Sequence, residues 1–315
     1  MTGKPNLKAA IILLVIVFVI IISRWRPPAA FPAETIYTVS KGTGLNQLAS
    51  NLTARQIIKS PLWFKVFSLL WGGPKGLRAG DYTLTERQNV ITLAHRFSTG
   101  DFQLVPVSLT IPEGLNVFEM GKLIAKKFPN ITAADFEREA GPAEGYLFPD
   151  TYLFLPNVSV TEMIKTLKVN FEEKIKLIDK EITTFGKPLA DIVKMASLVE
   201  AEARTPDTRR IVAGILWQRL NRNMPLQVDS SFKYINGKTT ATLTLADLQI
   251  DSPYNSYRYK GLPPTPICNP GLDSLRATLS PTKTDYLYFL SDREGVMHYA
   301  QTYAGHLQNK QLYLK

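Results

Sequence analysis

Met195 to Ala203 reads MASLVEAEA, and inside this helix-forming run of Ala, Met, Leu and Val stand two carboxylates, Glu200 and Glu202. An ionised carboxylate among apolar neighbours is costly unless it is paired or its pKa rises, and a carboxyl kept protonated can serve as a general acid. At about 100° per residue, Leu189, Ile192, Ala196, Val199 and Ala203 share one stripe with Val193 and Glu200 at its edge. Glu202 falls on another side, near Met195 and Leu198. Residues two apart do not face each other, so each acid needs its own account. As surface carboxylates at a helix end they would be answered by Arg204, Arg209 and Arg210; as chemistry, one of them donates a proton.

Other chemistries find little support. GxSxG is absent, which removes the hydrolase nucleophile elbow, and KGTGLNQ lacks the third glycine of a dinucleotide fingerprint. His95, His298 and His306 form no HExxH-type pair and join no cysteine cluster, so no metal site is expected. SPTK, Ser280 to Lys283, matches SxxK, but Pro281 and the missing KTG partner make it a turn or helix cap. The lone Cys268 excludes an intrachain disulfide and reads as a small packed residue.

The helix bearing the acids is followed at once by another. Thr205 is its N-cap, Pro206 its first residue, and Asp207 suits the positive end of its dipole; Ile211, Ile215, Leu216 and Leu220 give it one apolar stripe. Upstream, Thr35 opens an alternating strand, TIYTV. Helical spacing follows through Leu45, Leu48, Ala49 and Leu52, then through Leu62, Trp63, Val66, Phe67 and Leu70, broken by Gly72, Gly73 and Gly76. AGDYTL reads as a strand and NVITLAHRFSTG as a helix ended by Gly100. VSKGTGLNQLASNL from Val39 aligns with IPEGLNVFEMGKLI from Ile111 at an offset of about 72 residues, a duplicated βα element rather than a solenoid. Beyond residue 106 come Pro-anchored turns and aromatic clusters, a polar helix near Val160 to Glu181, and a tail of short strand-like runs and loops from about Leu226. That mixture is α+β, not doubly wound.

A chain of 315 residues with 45% hydrophobic content buries a real core, and a net charge of +10 attracts polyanions of several kinds. The apolar run from Ala9 to Ile22, about 14 residues closed by Arg24, Trp25 and Arg26, is short of the roughly 20 of a spanning helix. No small-residue cleavage site follows, and Trp25 with its arginines suits a membrane interface, so the expectation is an uncleaved single-pass anchor. Pro27 to Ala33 reads as a short, stiff linker. With nearly all of the chain beyond one hydrophobic segment, the body is expected outside the plasma (inner) membrane, where nucleic acid is not a partner.

Six segments occur in one order: EGYLFPDTY (Glu144 to Tyr152), MASLVEAEA, RLNRNMPLQVDS (Arg219 to Ser230), YNSYRYKGLPP (Tyr254 to Pro264), NPGLDSL (Asn269 to Leu275) and DYLYFL (Asp285 to Leu290). In these the chain resembles the membrane-bound endolytic murein transglycosylases, the YceG-like family. The resemblance implies an anchor and stub over 1–34, a LysM-like module over 35–105, and a mixed α+β catalytic domain with a lysozyme-like acid-bearing helix over 106–315. It implies a lytic transglycosylase that cleaves nascent peptidoglycan strands on the outer side of the membrane, beside cell-wall synthases, without a cofactor. The second glutamate of the family's V-E-x-E motif is the catalytic one, which maps to Glu202, leaving Glu200 as a supporting carboxylate. Gln227, Asp229, Tyr254, Asn255 and Tyr257 are candidates for lining the glycan groove, because amides and aromatic rings suit sugar hydroxyls and ring faces; the other reading makes them turn formers and core tyrosines. Three positions depart from the usual pattern: Ala201 for Lys, Ser230 for Pro and Thr265 for Gly. A muramidase that admits water, and a silent glycan-binding scaffold, stand as rivals.

Overall fold

The computed structural model describes residues 7–72 and 76–314; the expectations that fall on the first six residues of the stub and on Gly73 lie outside them. The described residues form thirteen α-helices and three two-stranded antiparallel sheets, an α+β architecture in which helices dominate. The chain divides into two compact units, one comprising 1–106 with 155–157 and the other 107–154 with 158–315.

The first unit holds α1 (Leu7–Trp25), β1 (Thr35–Val39), α2 (Leu45–Ala54), α3 (Pro61–Gly72), β2 (Gly80–Leu84) and α4 (Val90–Thr99). The side chains from Ile11 to Ile20 of α1 stand exposed. Among the described residues, no helix is long and apolar enough to cross a membrane. Strands β1 and β2 pair from Thr35 with Leu84 to Val39 with Gly80, and their inward Tyr37, Val39, Tyr82 and Leu84 meet Leu48 and Leu52 of α2, Phe64 of α3 and Leu93 and Phe97 of α4. Asn89 caps α4 by accepting from the Thr92 N–H, and Gly100 ends it in the left-handed region, as its sequence signals require.

The segment expected to be a linker differs from that reading. Pro28 and Phe31 are buried, Phe31 belongs to the core of this unit, and the Pro28 carbonyl accepts from Arg87 Nη2 at 2.9 Å. Apolar burial of one ring and a hydrogen bond to a charged donor pack into the core of this unit a segment whose proline content alone suggests a stiff linker.

The second unit contains β3 (Val107–Thr110), α5 (Val117–Lys127), α6 (Ala133–Ala140), β4 (Thr151–Phe154), α7 (Val160–Lys176), α8 (Asp179–Phe185), α9 (Leu189–Glu202), α10 (Pro206–Asn221), α11 (Ser230–Asn236), α12 (Leu272–Leu279), β5 (Tyr288–Ser291), β6 (Met297–Ala300) and α13 (Tyr303–Tyr313). Two of these elements correct the sequence reading. The polar helix expected to run to Glu181 breaks at Leu177 and Ile178, where i to i+3 bonds tighten the chain and Ile178 turns fully into the core. Helix α9 is not one-striped: Ile192, Val193 and every residue from Met195 to Val199 are buried, because the helix packs against α10, α11 and α12 at once. A helix enclosed on all sides loses the polar face that marks a surface helix. Only Ala203 to Thr205 separate α9 from α10; Ala203 is extended, and Thr205 caps α10 reciprocally with Thr208 ahead of Pro206.

Candidate active site

Glu202 is the last residue of α9, where the buried helix reaches open space. Its Oε1 accepts from the Ser230 backbone N–H at 3.2 Å, at the start of α11, and its other oxygen takes no hydrogen bond from the described residues. Burial pushes its carboxyl above the ordinary glutamate range; the neighbouring Asp229 charge adds to this, while Ser230 opposes it. A proline at position 230 would remove that N–H.

Glu200, one helical step away on another side, is fastened. Its Oε1 lies 2.6 Å from Arg209 Nη2 and its Oε2 accepts from the Gly271 N–H at 2.9 Å. Arg209 also donates from Nε to the Ala203 carbonyl and approaches Glu113 and Asp273. Arg209 is thus the answering base foreseen for one acid, whereas Arg210 pairs with Asp207 instead.

Two hollows meet at Glu202. The first, about 420 Å³, is lined by Arg219, Gln227, Asp229 and Tyr257 and, from the tail, by Tyr288, Tyr303, His306 and Lys310. The second, about 330 Å³, is walled by Glu113, Glu119, Ser230, Lys233 and Tyr234. Glu202 and Thr240 belong to both. Glu202 therefore lines two neighbouring cavities, with polar atoms and aromatic rings on their walls.

The five groove candidates divide. Gln227 lines the first hollow from a left-handed backbone (φ 53°), a conformation worth about 1 kcal/mol or more of strain for a non-glycine residue. It is held there by its N–H to the Ser256 carbonyl at 3.1 Å and by Arg219, which donates to its side-chain oxygen. Arg219 is itself buried and fixed by the Pro225 and Leu287 carbonyls at 2.9 and 3.1 Å. Asp229 accepts from the Tyr257 hydroxyl, and burial together with that bond pushes the phenol well above its ordinary range. Tyr254 and Asn255, by contrast, line neither hollow. The Tyr254 hydroxyl meets Thr265 at 2.8 Å and its ring leans on Tyr234, while Asn255 is fully buried with its amide donated to the Leu248 and Ile250 carbonyls. Asn255 Oδ1 accepts from the Tyr257 N–H, so it positions the loop instead of touching a ligand. An amide and a phenol next to groove residues in sequence carry no signal that separates these two roles.

Sequence reasoning missed Arg219 and the tail wall of Tyr288, Tyr303, His306 and Lys310. Arg219 opens the RLNRNMPLQVDS segment and Tyr288 sits in DYLYFL, so both were within quoted motifs, but neither has a spacing that reports a cavity. Of the three histidines, His306 lines the hollow and His298 Nε2 lies 2.8 Å from Asp292; no group of acids, histidines or cysteine among the described residues could hold a metal ion. Cys268 is buried as expected, its Sγ against the Ser197 carbonyl.

The EGYLFPDTY segment places a third acid differently. Glu144 is 4% exposed; its oxygens accept from the Val117 N–H at 3.0 Å and from Asn269 Nδ2 at 2.9 Å. Asn269 Oδ1 in turn accepts from the N–H groups of Gly145 and Leu147, both at 2.9 Å. Gly145 has φ 86°, and a Cβ there would lie 2.3 Å from Pro266, so only glycine lets the two segments lie this close. Burial raises the Glu144 carboxyl to about 7 against these lowering bonds. This network fastens the first of the six segments to the fifth.

The family model described as the YceG-like family matches residues 37–312. Among curated proteins, the chain is 30% identical over 303 residues to the endolytic murein transglycosylase of Bacillus subtilis (strain 168), covering 88% of this chain and 84% of that protein. It is 27% identical over 313 residues to the endolytic murein transglycosylase of Streptococcus pneumoniae R6, covering 86% of this chain and 57% of that longer protein. Among solved structures, a yceG-like protein from Listeria monocytogenes superposes with a TM-score of 0.59 at 27% identity, covering 87% of this chain and 98% of that one.

Proposed function

The chain belongs to the YceG-like family, and on that premise we propose that it is an endolytic peptidoglycan lytic transglycosylase in which Glu202 acts first as acid and then as base. The observation that carries the reading is a carboxyl raised by burial at the meeting point of two hollows, with one oxygen unengaged by the described residues. A glycan strand laid through both hollows presents an internal bond to Glu202. The protonated carboxyl gives its proton to the glycosidic oxygen as the bond to C1 of the N-acetylmuramic acid residue breaks. The carboxylate so formed takes the proton of the C6 hydroxyl of the same sugar, O6 bonds to C1, and a 1,6-anhydro end results without consumption of water. Burial favours the protonated starting state, which an exposed glutamate would lack near neutral pH.

Asp229 and Tyr257 place one carboxylate and one phenol in the first hollow, and Gln227 presents the remainder of an amide whose oxygen is held by Arg219. These are the proposed contacts to sugar hydroxyls. Glu200 holds the turn between α9 and α10 through Arg209 and does not act on substrate. The helices and the antiparallel pair of the first unit, in the order β1, α2, α3, β2, support a LysM-like glycan-binding role. The run of exposed apolar side chains from Ile11 to Ile20 of α1, closed by Arg24 and Trp25, supports a membrane anchor at this end of the chain, with the body on the outer side of the membrane. Cell-wall synthases are the partners that such a placement favours.

The test is incubation of the full chain with uncrosslinked glycan strands and mass spectrometry of the new ends. Ends lighter by one water than reducing ends are the expected product. Reducing ends alone would identify the water-admitting muramidase, and intact strands the silent scaffold.

A further inference from the structure

Helix α3 carries an apolar face that the first unit leaves uncovered. Leu62, Val66, Leu69 and Leu70 recur at helical spacing over an arc of about 100°, and Leu62 and Leu70 are 61% and 72% exposed. Beside that arc, Trp63, Phe67 and Trp71 form an aromatic ladder, with Trp63 stacked on Phe67 at 5.7 Å and Phe67 tilted against Trp71 at 6.0 Å. Trp25, the last residue of α1, meets the ladder edge-on, 5.4 Å from Trp63 and 5.6 Å from Phe67. The opposite side of α3, with Phe64 and Ser68, is buried in the core.

The end of α1 is therefore fixed against α3. The chain that follows it is fastened too, through Pro28 to Arg87 and through the buried Phe31. The exposed isoleucines, leucines and valines of α1 end at Ile20, five residues before Trp25, so their surroundings lie near the ladder that borders the outward face of α3. Arg24 and Lys59 line one open hollow at that same end, which puts two cations beside the ladder. Aromatic rings flanked by basic residues suit the boundary between lipid headgroups and acyl chains, and an uncovered leucine face of this size is otherwise an association liability.

We propose that the outward face of α3, continuous with the end of α1, seats the first unit on the surface of a bilayer containing anionic lipid. The proposal rests on the reading of α1 as an anchor and adds to it a second point of contact, which holds this unit in one orientation at the membrane. A single helix followed by a free tether would not do this.

The experiment uses the full chain reconstituted into phosphatidylcholine–phosphatidylglycerol vesicles. Leu69→Cys, and Leu245→Cys as an exposed control in the second unit, are each labelled with an environment-sensitive fluorophore; native Cys268 is buried and leaves the introduced thiol to react. Flotation with the vesicles is scored first, then emission and quenching by lipid-borne spin labels. The expected result is flotation of both proteins, with a blue shift at position 69 and quenching there severalfold stronger than at 245. Equal, solvent-like signals at both positions in floating protein overturn the α3 contact while leaving the anchor standing. Failure to float overturns the anchor and this proposal with it. A blue shift at 69 that grows with protein concentration and ignores the lipid quencher assigns the face to a second copy of the chain and overturns the membrane contact.

Discussion

Glu144 and Glu202 are both pushed upward by burial, yet their surroundings differ in one respect that decides what each can do. Two N–H donors, from Val117 and Asn269, engage one Glu144 oxygen each and lower the carboxyl against that burial, and a glycine-only close approach locks its neighbour in place. Glu202 receives Ser230 alone and faces two hollows. A carboxyl whose oxygens are all engaged is a fastener, because any movement leaves donors unsatisfied. A carboxyl with an idle oxygen toward open space can meet a ligand. Burial by itself therefore does not mark a reagent; burial with an unfilled hydrogen-bonding capacity does.

This contrast can be broken by substitution. Glu202→Gln should reduce strand cleavage on the order of 10³-fold, with the unfolding midpoint unchanged or slightly raised; product analysis and calorimetry on one sample measure both. Retained cleavage with a lowered midpoint would make Glu202 the fastener. Glu144→Ala should do the reverse, costing about 3 kcal/mol of stability in urea unfolding, since it takes the acceptor from two buried donors, Val117 N–H and Asn269 Nδ2, while activity per folded molecule changes little.

The contrast sharpens with pH. The Glu144 carboxyl stands near 7 in the folded chain against 4.5 in the reference state. Above pH 4.5 the unfolded chain has released this proton and the folded chain still holds it, so stability falls as pH rises toward about 7 and is level beyond. Glu144→Gln should flatten that slope, read as the difference in urea midpoint between pH 5 and pH 7.5. The smallest effect is expected from Asp229→Asn. Removing the charge that helps to raise Glu202 should move the alkaline limb of the pH–rate profile to lower pH, and a limb that stays in place would remove Asp229 from this role.

Local signals carried the parts of this molecule whose causes are local. The Asn89 cap and Gly100 stop of α4, and the Thr205–Pro206 start of α10, follow from a few residues each. Periodicity misread α9, because its partners α11 and α12 come from residues 230–236 and 272–279, far along the chain, and cover the side that a stripe would leave to water. The same distance hid the division among the groove candidates. Gln227, Asp229 and Tyr257 reach the first hollow, while Asn255, two residues from Tyr257, turns inward to two backbone carbonyls. The motif resemblance named Glu202, but the tail wall of Tyr303, His306 and Lys310 comes from a helix with no buried residue and no distinguishing pattern.

The residue at position 230 has a consequence for when the proposed chemistry can run. Because its side chain and its peptide N–H steady the charged form of the neighbouring acid, it trims the range of alkalinity over which that acid keeps its hydrogen. An imino acid at the same position would remove that restraint, so a Ser230→Pro variant is expected to keep its acid protonated into more basic media, and exchanging the residue at 230 would act as a tuning screw for the working range.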